Sequence, residues 1–168
     1  MTLSIALLAF ITVQRLGELG LAGRNTRRLK AKGAYEVGRE HYPLIVVLHA
    51  AWLAGLWLLG WNRPIDVGFL SAFLGVEALR VWTLVSLGER WTTRIIVLPG
   101  APLVTSGPYR YFSHPNYAVV AAEIALLPLA LHLPWLALVF TVLNAAVLTI
   151  RLRAEQRALS VVSARFAS

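Results

Sequence analysis

The chain is 168 residues long, with 58% hydrophobic residues, 14% charged residues and a formal net charge of +8 at pH 7. Soluble domains are about 45–50% apolar and about 25% charged, so this composition predicts a membrane protein. The absence of cysteine excludes disulfides, thiolate metal sites and catalytic cysteines. We expect one integral membrane domain over residues 1–168, whose positive charge faces lipid headgroups rather than nucleic acid.

The first apolar segment predicts a membrane-spanning helix from Thr2 to about Leu21. This segment lacks a basic leader and continues through Arg15 and Glu18 without a small-residue cleavage pattern, so we interpret it as a retained helix and not as a signal peptide. Residues 22–41 follow, with glycines and many charges but no apolar periodicity. Such a composition predicts a polar loop.

Four more apolar segments approach the length of about 20 residues that a spanning helix needs. They are residues 43–61, 65–87, 115–131 and 135–150. The stretch 88–114 is too polar and too often broken by Gly and Pro to span. Residues 151–167 predict a separate amphipathic segment at the membrane surface. The predicted fold class is therefore an all-α polytopic membrane protein with about five transmembrane helices.

The basic residues predict the orientation of these helices. Lys and Arg concentrate in residues 22–41, in residues 88–114 and after residue 150, whereas the other two connections hold only Arg63. Because short cytoplasmic segments carry the excess of basic residues, this pattern predicts an N-terminus outside and a cytoplasmic 88–114 loop and tail. For a bacterial chain this corresponds to the inner membrane.

The segment "GPYRYFSHPNY", residues 107–117, collects polar side chains at the start of a predicted helix. A Gly-Pro turn precedes it, and Pro115 suits the first helical turn. Free backbone N–H groups at a helix start favour an anion or carboxylate. The candidate cofactor-binding residues are Tyr109, Arg110, Tyr111, His114, Pro115, Asn116 and Tyr117. The alternative is an interfacial aromatic belt in which His114 caps the helix.

Glu123 lies seven residues after Asn116, on the same helical face. An acid inside a span costs at least about 2.5 kcal/mol unless it is paired or faces water. We therefore predict either a catalytic Glu123 or an ion pair with Arg80. Arg80 also follows Glu77 by three residues, and Arg15 precedes Glu18 by three, spacings that favour pairing within one helix.

Histidines and a second motif supply further candidates. His49 lies within an apolar turn, eight residues after His41, and serves either as a catalytic residue or as a hydrogen-bonding partner of a neighbouring helix. No carboxylate cluster lies at ligand spacing from the histidines, so no metal site is predicted. In "RLRAEQRAL", residues 151–159, Arg151 and Glu155 are candidate catalytic residues, with Glu155 also placed at the cofactor. The alternative for this pair is an exposed salt bridge.

The two motifs together resemble the isoprenylcysteine carboxyl methyltransferase family of membrane enzymes. "GPYRYFSHPNY" is similar to its Gly-Pro-Tyr-Arg-Tyr-x-Arg-His-Pro-x-Tyr signature, and "RLRAEQRAL" is similar to its Arg-x-x-x-Glu-Glu-x-x-Leu signature. The resemblance implies a methyltransferase that uses S-adenosyl-L-methionine and a lipophilic acceptor. It also implies that the loop from Tyr109 to Tyr117 binds the cofactor while Arg151 and Glu155 close over it.

Two departures from the family signatures bear on the acceptor. Ser113 stands where the signature has Arg, and Gln156 stands where it has the second Glu. The N-terminal half resembles a bacterial branch that methylates hydroxyl groups of alkylpyrones and related long-chain polyketides, so we expect a hydroxyl acceptor rather than a prenylcysteine carboxylate. Glu36 and His41 are added as acceptor-side candidates. The rival hypotheses are a nicotinamide-dependent membrane reductase and a non-enzymatic lipid-binding protein.

Overall fold

The computed structural model describes residues 2–166, and of these the side chains of residues 3–155. Five helices dominate it: α1 (Thr2–Ala31), α2 (Tyr42–Gly60), α3 (Val67–Leu87), α4 (Pro115–Ala130) and α5 (Pro134–Phe166). Two short strands, β1 (Tyr35–Val37) and β2 (Ile95–Val97), form an antiparallel pair, and 3-10 turns cover Arg39–His41, Gly88–Arg90 and Gly107–Arg110. The predicted all-α polytopic class is confirmed.

Four helices in the described part of the chain are long and apolar enough to cross a membrane: α1, α2, α3 and α5. Leucines and valines cover much of their outer surface, as lipid contact requires. The fourth predicted span is shorter, because α4 has 16 residues and a rise of 1.5 Å per residue gives it a length of about 24 Å. This is less than the hydrocarbon thickness of about 30 Å.

Helix α1 continues ten residues beyond the predicted end at Leu21, so the predicted loop over residues 22–41 is wrong in its first half. Ala22, Asn25 and Leu29 are buried and repeat at helical spacing along one face. Asn25 donates hydrogen bonds to the carbonyls of Gly88 (3.1 Å) and Trp91 (2.8 Å). Charged residues on the other face hid this periodicity in the sequence, although Arg, Lys and Leu are good helix formers.

Helix α5 is continuous over 33 residues, so the predicted separation of a surface segment after residue 150 is also wrong. No Gly or Pro follows Pro134, and nothing else in the sequence interrupts the helix when it changes from apolar to charged. The second motif therefore extends a spanning helix. The predicted loops before α2 and after α3 are joined by the β1–β2 pair, in which Glu36 is opposite Ile96.

The core lies where α1, α2, α3 and α4 meet, and its fully buried side chains include Leu8, Trp52, Phe73 and Leu127. Helices α2 and α5 pack antiparallel. A Cβ at Gly55 of α2 would lie 3.0 Å from the side chain of Leu136 of α5, so glycine allows this close approach. The strands, the turn Gly107–Arg110 and the start of α4 all lie at one end of the bundle, which we call the loop end.

Candidate functional site

A cavity of about 320 Å³ lies between α1, α2, α4 and α5 and reaches the loop end. Apolar side chains form most of its wall, including Leu53 of α2, Val120 of α4 and Val147 of α5. Its volume falls in the range of small-molecule sites, at about 300–1,000 Å³. Polar side chains from both sequence motifs also line it, namely Asn116, Tyr117 and Arg151.

Arg151 joins the two motifs at the loop end of this cavity. Its Nε donates to the Tyr117 hydroxyl (3.0 Å), and its Nη1 donates to the carbonyl of Thr93 (2.7 Å). The Tyr117 hydroxyl in turn donates to the Glu155 carboxylate. Arg151 is only 8% exposed, and its Nη2 has no hydrogen bond within the described residues. The two N–H donors of Nη2 therefore remain for an anionic ligand.

The start of α4 holds the central residues of the first motif. His114 precedes the helix, and its ring stacks on Tyr117 with 5.4 Å between centroids. Pro115 is buried in the first turn, where its fixed φ suits the helix. The side-chain oxygen of Asn116 accepts a hydrogen bond from Trp91 Nε1 (3.3 Å).

The turn Gly107–Arg110 places Tyr109 beside this cluster. Gly107 has φ +60°, and a Cβ there would lie 2.0 Å from Ser86 Oγ of α3, so only glycine fits. Burial raises the pKa of Tyr109 to about 12, with a further increase from the Glu155 carboxylate; the phenol therefore keeps its proton at neutral pH and can donate a hydrogen bond. Arg110 and Tyr111 are exposed and do not line the cavity.

The two candidate histidines, His49 and His41, line different pockets in the structure. His49 lines the cavity, and its Nδ1 lies 2.8 Å from the carbonyl of Ile45. With Nδ1 donating to that carbonyl, Nε2 carries the lone pair and is the basic atom. His41 instead lines a much smaller separate pocket, together with Glu36 and Arg94.

Glu36 of β1 links this strand to the segment before β2 through an ion pair with Arg94, and it also pairs with Lys30. The sequence did not predict these contacts. Burial alone would raise the pKa of Glu36, but hydrogen bonds from Lys30 and Arg94 outweigh this and hold that pKa below its usual value. The Arg94 guanidinium lies 4.1 Å from the centre of the Tyr42 ring. Because the Thr93 carbonyl next to it accepts from Arg151, this link helps to position Arg151.

Glu123 lies in an ion-pair network beside the cavity, which consists of Arg15, Glu18, Arg80 and Glu123. Glu123 is 1% exposed, and its two oxygens accept hydrogen bonds from Arg80 and from Arg15 Nη2 (2.7 Å for the latter). Arg15 contacts Glu18 (2.8 Å) as its spacing indicated. Arg80 bonds Glu18 and Glu123 rather than Glu77, which accepts from Gln14.

Residues 69–161 match the isoprenylcysteine carboxyl methyltransferase (ICMT) family. The protein belongs to this family. Over 164 residues it is 40% identical to "Uncharacterized protein YpbQ" of Bacillus subtilis (strain 168), covering 95% of this chain and 98% of the relative. An uncharacterized protein of Haemophilus influenzae is 28% identical over 159 residues, covering 90% and 92%. No solved structure matches the chain.

Membership of the ICMT family confirms the resemblance and makes the protein an integral membrane methyltransferase. The matched residues contain both motifs and Glu123, whereas α1, β1 and α2 lie before them. His49 and Arg15 therefore reach the cavity from outside the matched region. Ser113 is exposed two residues before the start of α4, and the side chain of Gln156 lies outside the described residues.

Asn144 of α5 is a cavity-lining residue that sequence reasoning missed. The signal was present, because an asparagine within an apolar span costs free energy unless its amide finds a partner. Between Trp135 and Ile150 the chain contains no charged residue. Apart from two threonines, Asn144 is therefore the one polar residue in this part of the sequence.

Proposed function

We propose that the protein is an S-adenosyl-L-methionine-dependent O-methyltransferase whose acceptor is a hydroxyl group on a lipophilic molecule. The observation that carries this proposal is the shared cavity, in which Asn116, Tyr117 and Arg151 of the family's motifs line the loop end and apolar side chains form most of the remaining wall. A polar cofactor from water and an apolar acceptor from lipid meet in such a space. Methyl transfer between aligned partners then gains much of its rate from positioning.

The residues at the loop end fit the cofactor's chemistry. The free Nη2 of Arg151 and the N-terminus of α4 suit a methionyl carboxylate. The rings of His114 and Tyr109 suit adenine, and Glu155 suits the cationic end of the molecule. The proposed binding segment also contains residues that shape it around the cofactor, namely Arg110, Tyr111, Pro115 and Asn116. When bound, S-adenosyl-L-methionine supplies an electrophilic methyl group.

A lateral opening of the cavity supports the proposal that the acceptor is lipophilic. Leu16 and Leu19 of α1 and Val46 of α2 line the cavity, yet they are 63%, 49% and 45% exposed on the surface of the bundle. The cavity therefore reaches the lipid-facing side between α1 and α2. A long alkyl tail entering there gains about 0.8 kcal/mol for each CH₂ group it buries.

We assign the general base to His49 rather than Glu123. Nε2 of His49 makes no hydrogen bond within the described residues and belongs to a residue that lines the cavity, so it can accept the hydroxyl proton. Both Glu123 oxygens are already held by arginines. Glu123 then acts by fixing Arg15 and Arg80, which line the same cavity.

We also propose that the loop end faces the cytoplasm, where the cofactor is made, and that the membrane is the bacterial inner membrane. The last turns of α1 support this orientation, because Arg24, Arg27, Arg28 and Lys30 lie there. The opposite end carries Arg63 alone among the Lys and Arg residues that the structure describes near helix ends. Such an asymmetry is typical of cytoplasmic segments.

The direct test is calorimetric titration of the purified protein in detergent with S-adenosylhomocysteine and, separately, with NADPH. We expect binding of the first alone. His114→Ala should weaken that binding by about 1.5–3 kcal/mol, since it removes a hydrogen bond or stacking contact to a charged ligand. His132→Ala, at the exposed turn before α5, is the control. Binding of NADPH alone would favour the reductase hypothesis, and unchanged affinity in His114→Ala would contradict the assignment of this loop.

The acceptor class predicts a substrate preference. With matched tail lengths, the purified enzyme should methylate an alkylpyrone or alkylresorcinol with a higher kcat/KM than a farnesylated cysteine, because Ser113 offers no guanidinium for a free carboxylate. Methyl transfer from radiolabelled cofactor measures both rates in one assay. A higher kcat/KM for the prenylcysteine would instead support carboxyl methylation.

A further inference from the structure

Asn144 differs from the other buried polar side chains of the structure. It is 2% exposed and lines the cavity, yet its amide makes no hydrogen bond within the described residues. The other buried polar residues each make at least one side-chain hydrogen bond: Ser4, Asn25, Arg80, Thr83, Glu123 and Arg151. An amide left unpaired in a membrane-spanning helix costs stability. The Asn144 amide is therefore available to a ligand in the cavity.

The position of Asn144 relates it to both ends of the site. It precedes Arg151 by seven residues, which is two helical turns on the same face or about 10 Å along the axis. Antiparallel packing brings Gly55 to Leu136, and Gly38 near Ala154. This register places Asn144 at nearly the same depth as His49. Two side chains with hydrogen-bonding atoms that are unused within the described residues thus line the cavity at a similar depth.

We propose that Asn144 recognises a carbonyl oxygen of the acceptor, so that the acceptor is a ring carrying both a hydroxyl and a conjugated carbonyl group. This inference rests on the proposed function. Nε2 of His49 accepts a proton and matches the hydroxyl, whereas the Asn144 amide offers two N–H donors and matches a second, acceptor-only oxygen. Conjugation to a carbonyl also makes the hydroxyl more acidic, which assists removal of its proton by His49. An acceptor with a single polar atom leaves Asn144 unpaired.

The test compares two acceptors with equal alkyl tails: an alkylpyrone, which has both groups, and an alkylphenol, which has the hydroxyl alone. Binding of each is measured by titration in the presence of S-adenosylhomocysteine. We expect the wild-type protein to prefer the alkylpyrone by about tenfold or more, which corresponds to one hydrogen bond. In Asn144→Leu the preference should fall to within about twofold, through weaker binding of the alkylpyrone.

Thermal unfolding in detergent separates recognition from a structural role. Since Asn144 has no hydrogen-bond partner among the residues that the structure describes, Asn144→Leu should unfold at the same temperature as the wild type or at a higher one. Thr149→Val is the control on the same helix, because Thr149 is exposed and bonds only the carbonyl of Ala145; it should change neither measurement. Should Asn144→Leu misfold, Asn144→Ala removes the amide without added volume and should show the same loss of preference.

Three results would overturn the inference. They are a wild-type protein without preference for the alkylpyrone, a preference that survives the loss of the amide, and an unfolding temperature that falls in both Asn144 variants. In each of these cases S-adenosylhomocysteine still binds and the proposed methyltransferase function stands. A wild-type protein that fails to bind S-adenosylhomocysteine would overturn that function and this inference together.

Discussion

Replacing Glu123 with Leu should destabilise the folded protein by about 3–5 kcal/mol, the range measured when one partner of a buried ion pair is removed. Glu123 accepts from both Arg15 and Arg80. Without it, two guanidinium groups of a largely buried cluster share only the Glu18 carboxylate. Glu123 is 1% exposed, so water at its position cannot readily replace the lost attraction.

The measurement is thermal unfolding in detergent, followed by circular dichroism. For a chain of this size about 1 kcal/mol corresponds to about 2–4 °C, so Tm should fall by about 6 °C or more. Glu89→Leu is the matched control, because Glu89 also has two basic partners, Arg28 and Lys32, but its side chain is half exposed. Exposed pairs contribute about 1 kcal/mol or less. Equal Tm values for the two variants would contradict the structural role of the network.

Glu123→Gln distinguishes the structural role of Glu123 from a catalytic one. The amide keeps the shape of the side chain but not the charge, so it should also lower Tm if the ion pairs matter most. Methyl transfer at a temperature where the variant remains folded should then retain most of its rate. A variant with normal Tm and no turnover would return Glu123 to the role of general base.

The overall class of this protein follows from its sequence because apolar length and charge asymmetry are local properties. The extension of α1 to Ala31 is different, since it depends on Asn25 bonding to backbone carbonyls more than 60 residues away. The β1–β2 pair likewise joins two segments of three residues each, which are too short to give a strand pattern of their own. Composition identified these stretches as polar, but tertiary contacts decide their structure.

In the candidate site, too, local features are predictable from the sequence, whereas contacts between helices are not. The motif residues Tyr117, Arg151 and Glu155 were found by spacing and resemblance, and the structure brings their side chains into contact. The pairing of Arg15 with Glu123 was not foreseen, because helical spacing predicts partners within one helix but not the rotation of one helix against another. The sequence marks Asn144 as a polar residue within an apolar span, but only the packed structure separates a paired amide from an unpaired one.

Replacing Arg151 with Lys should reduce kcat/KM for methyl transfer by about a hundredfold, although the positive charge remains. The Arg151 guanidinium acts in three directions: Nε bonds Tyr117, Nη1 bonds the Thr93 carbonyl, and Nη2, which has no hydrogen bond within the described residues, is proposed to bind the cofactor. A lysine ammonium is a single point with a different reach and cannot reproduce this fork. Loss of about 3 kcal/mol from two or three hydrogen bonds gives the expected factor.

Arg153→Lys is the control for this change, because Arg153 is an exposed arginine on the same helix, two residues away. It should retain nearly full activity. The readouts are methyl transfer from radiolabelled cofactor at varied cofactor concentrations and the affinity for S-adenosylhomocysteine. In Arg151→Lys the affinity should fall together with kcat/KM, since the same guanidinium positions Tyr117 and, in the proposed function, contacts the cofactor. If Arg151→Lys behaves like Arg153→Lys, the hydrogen bonds that join the two motifs do not support catalysis, and Arg151 has only a structural role at the loop end.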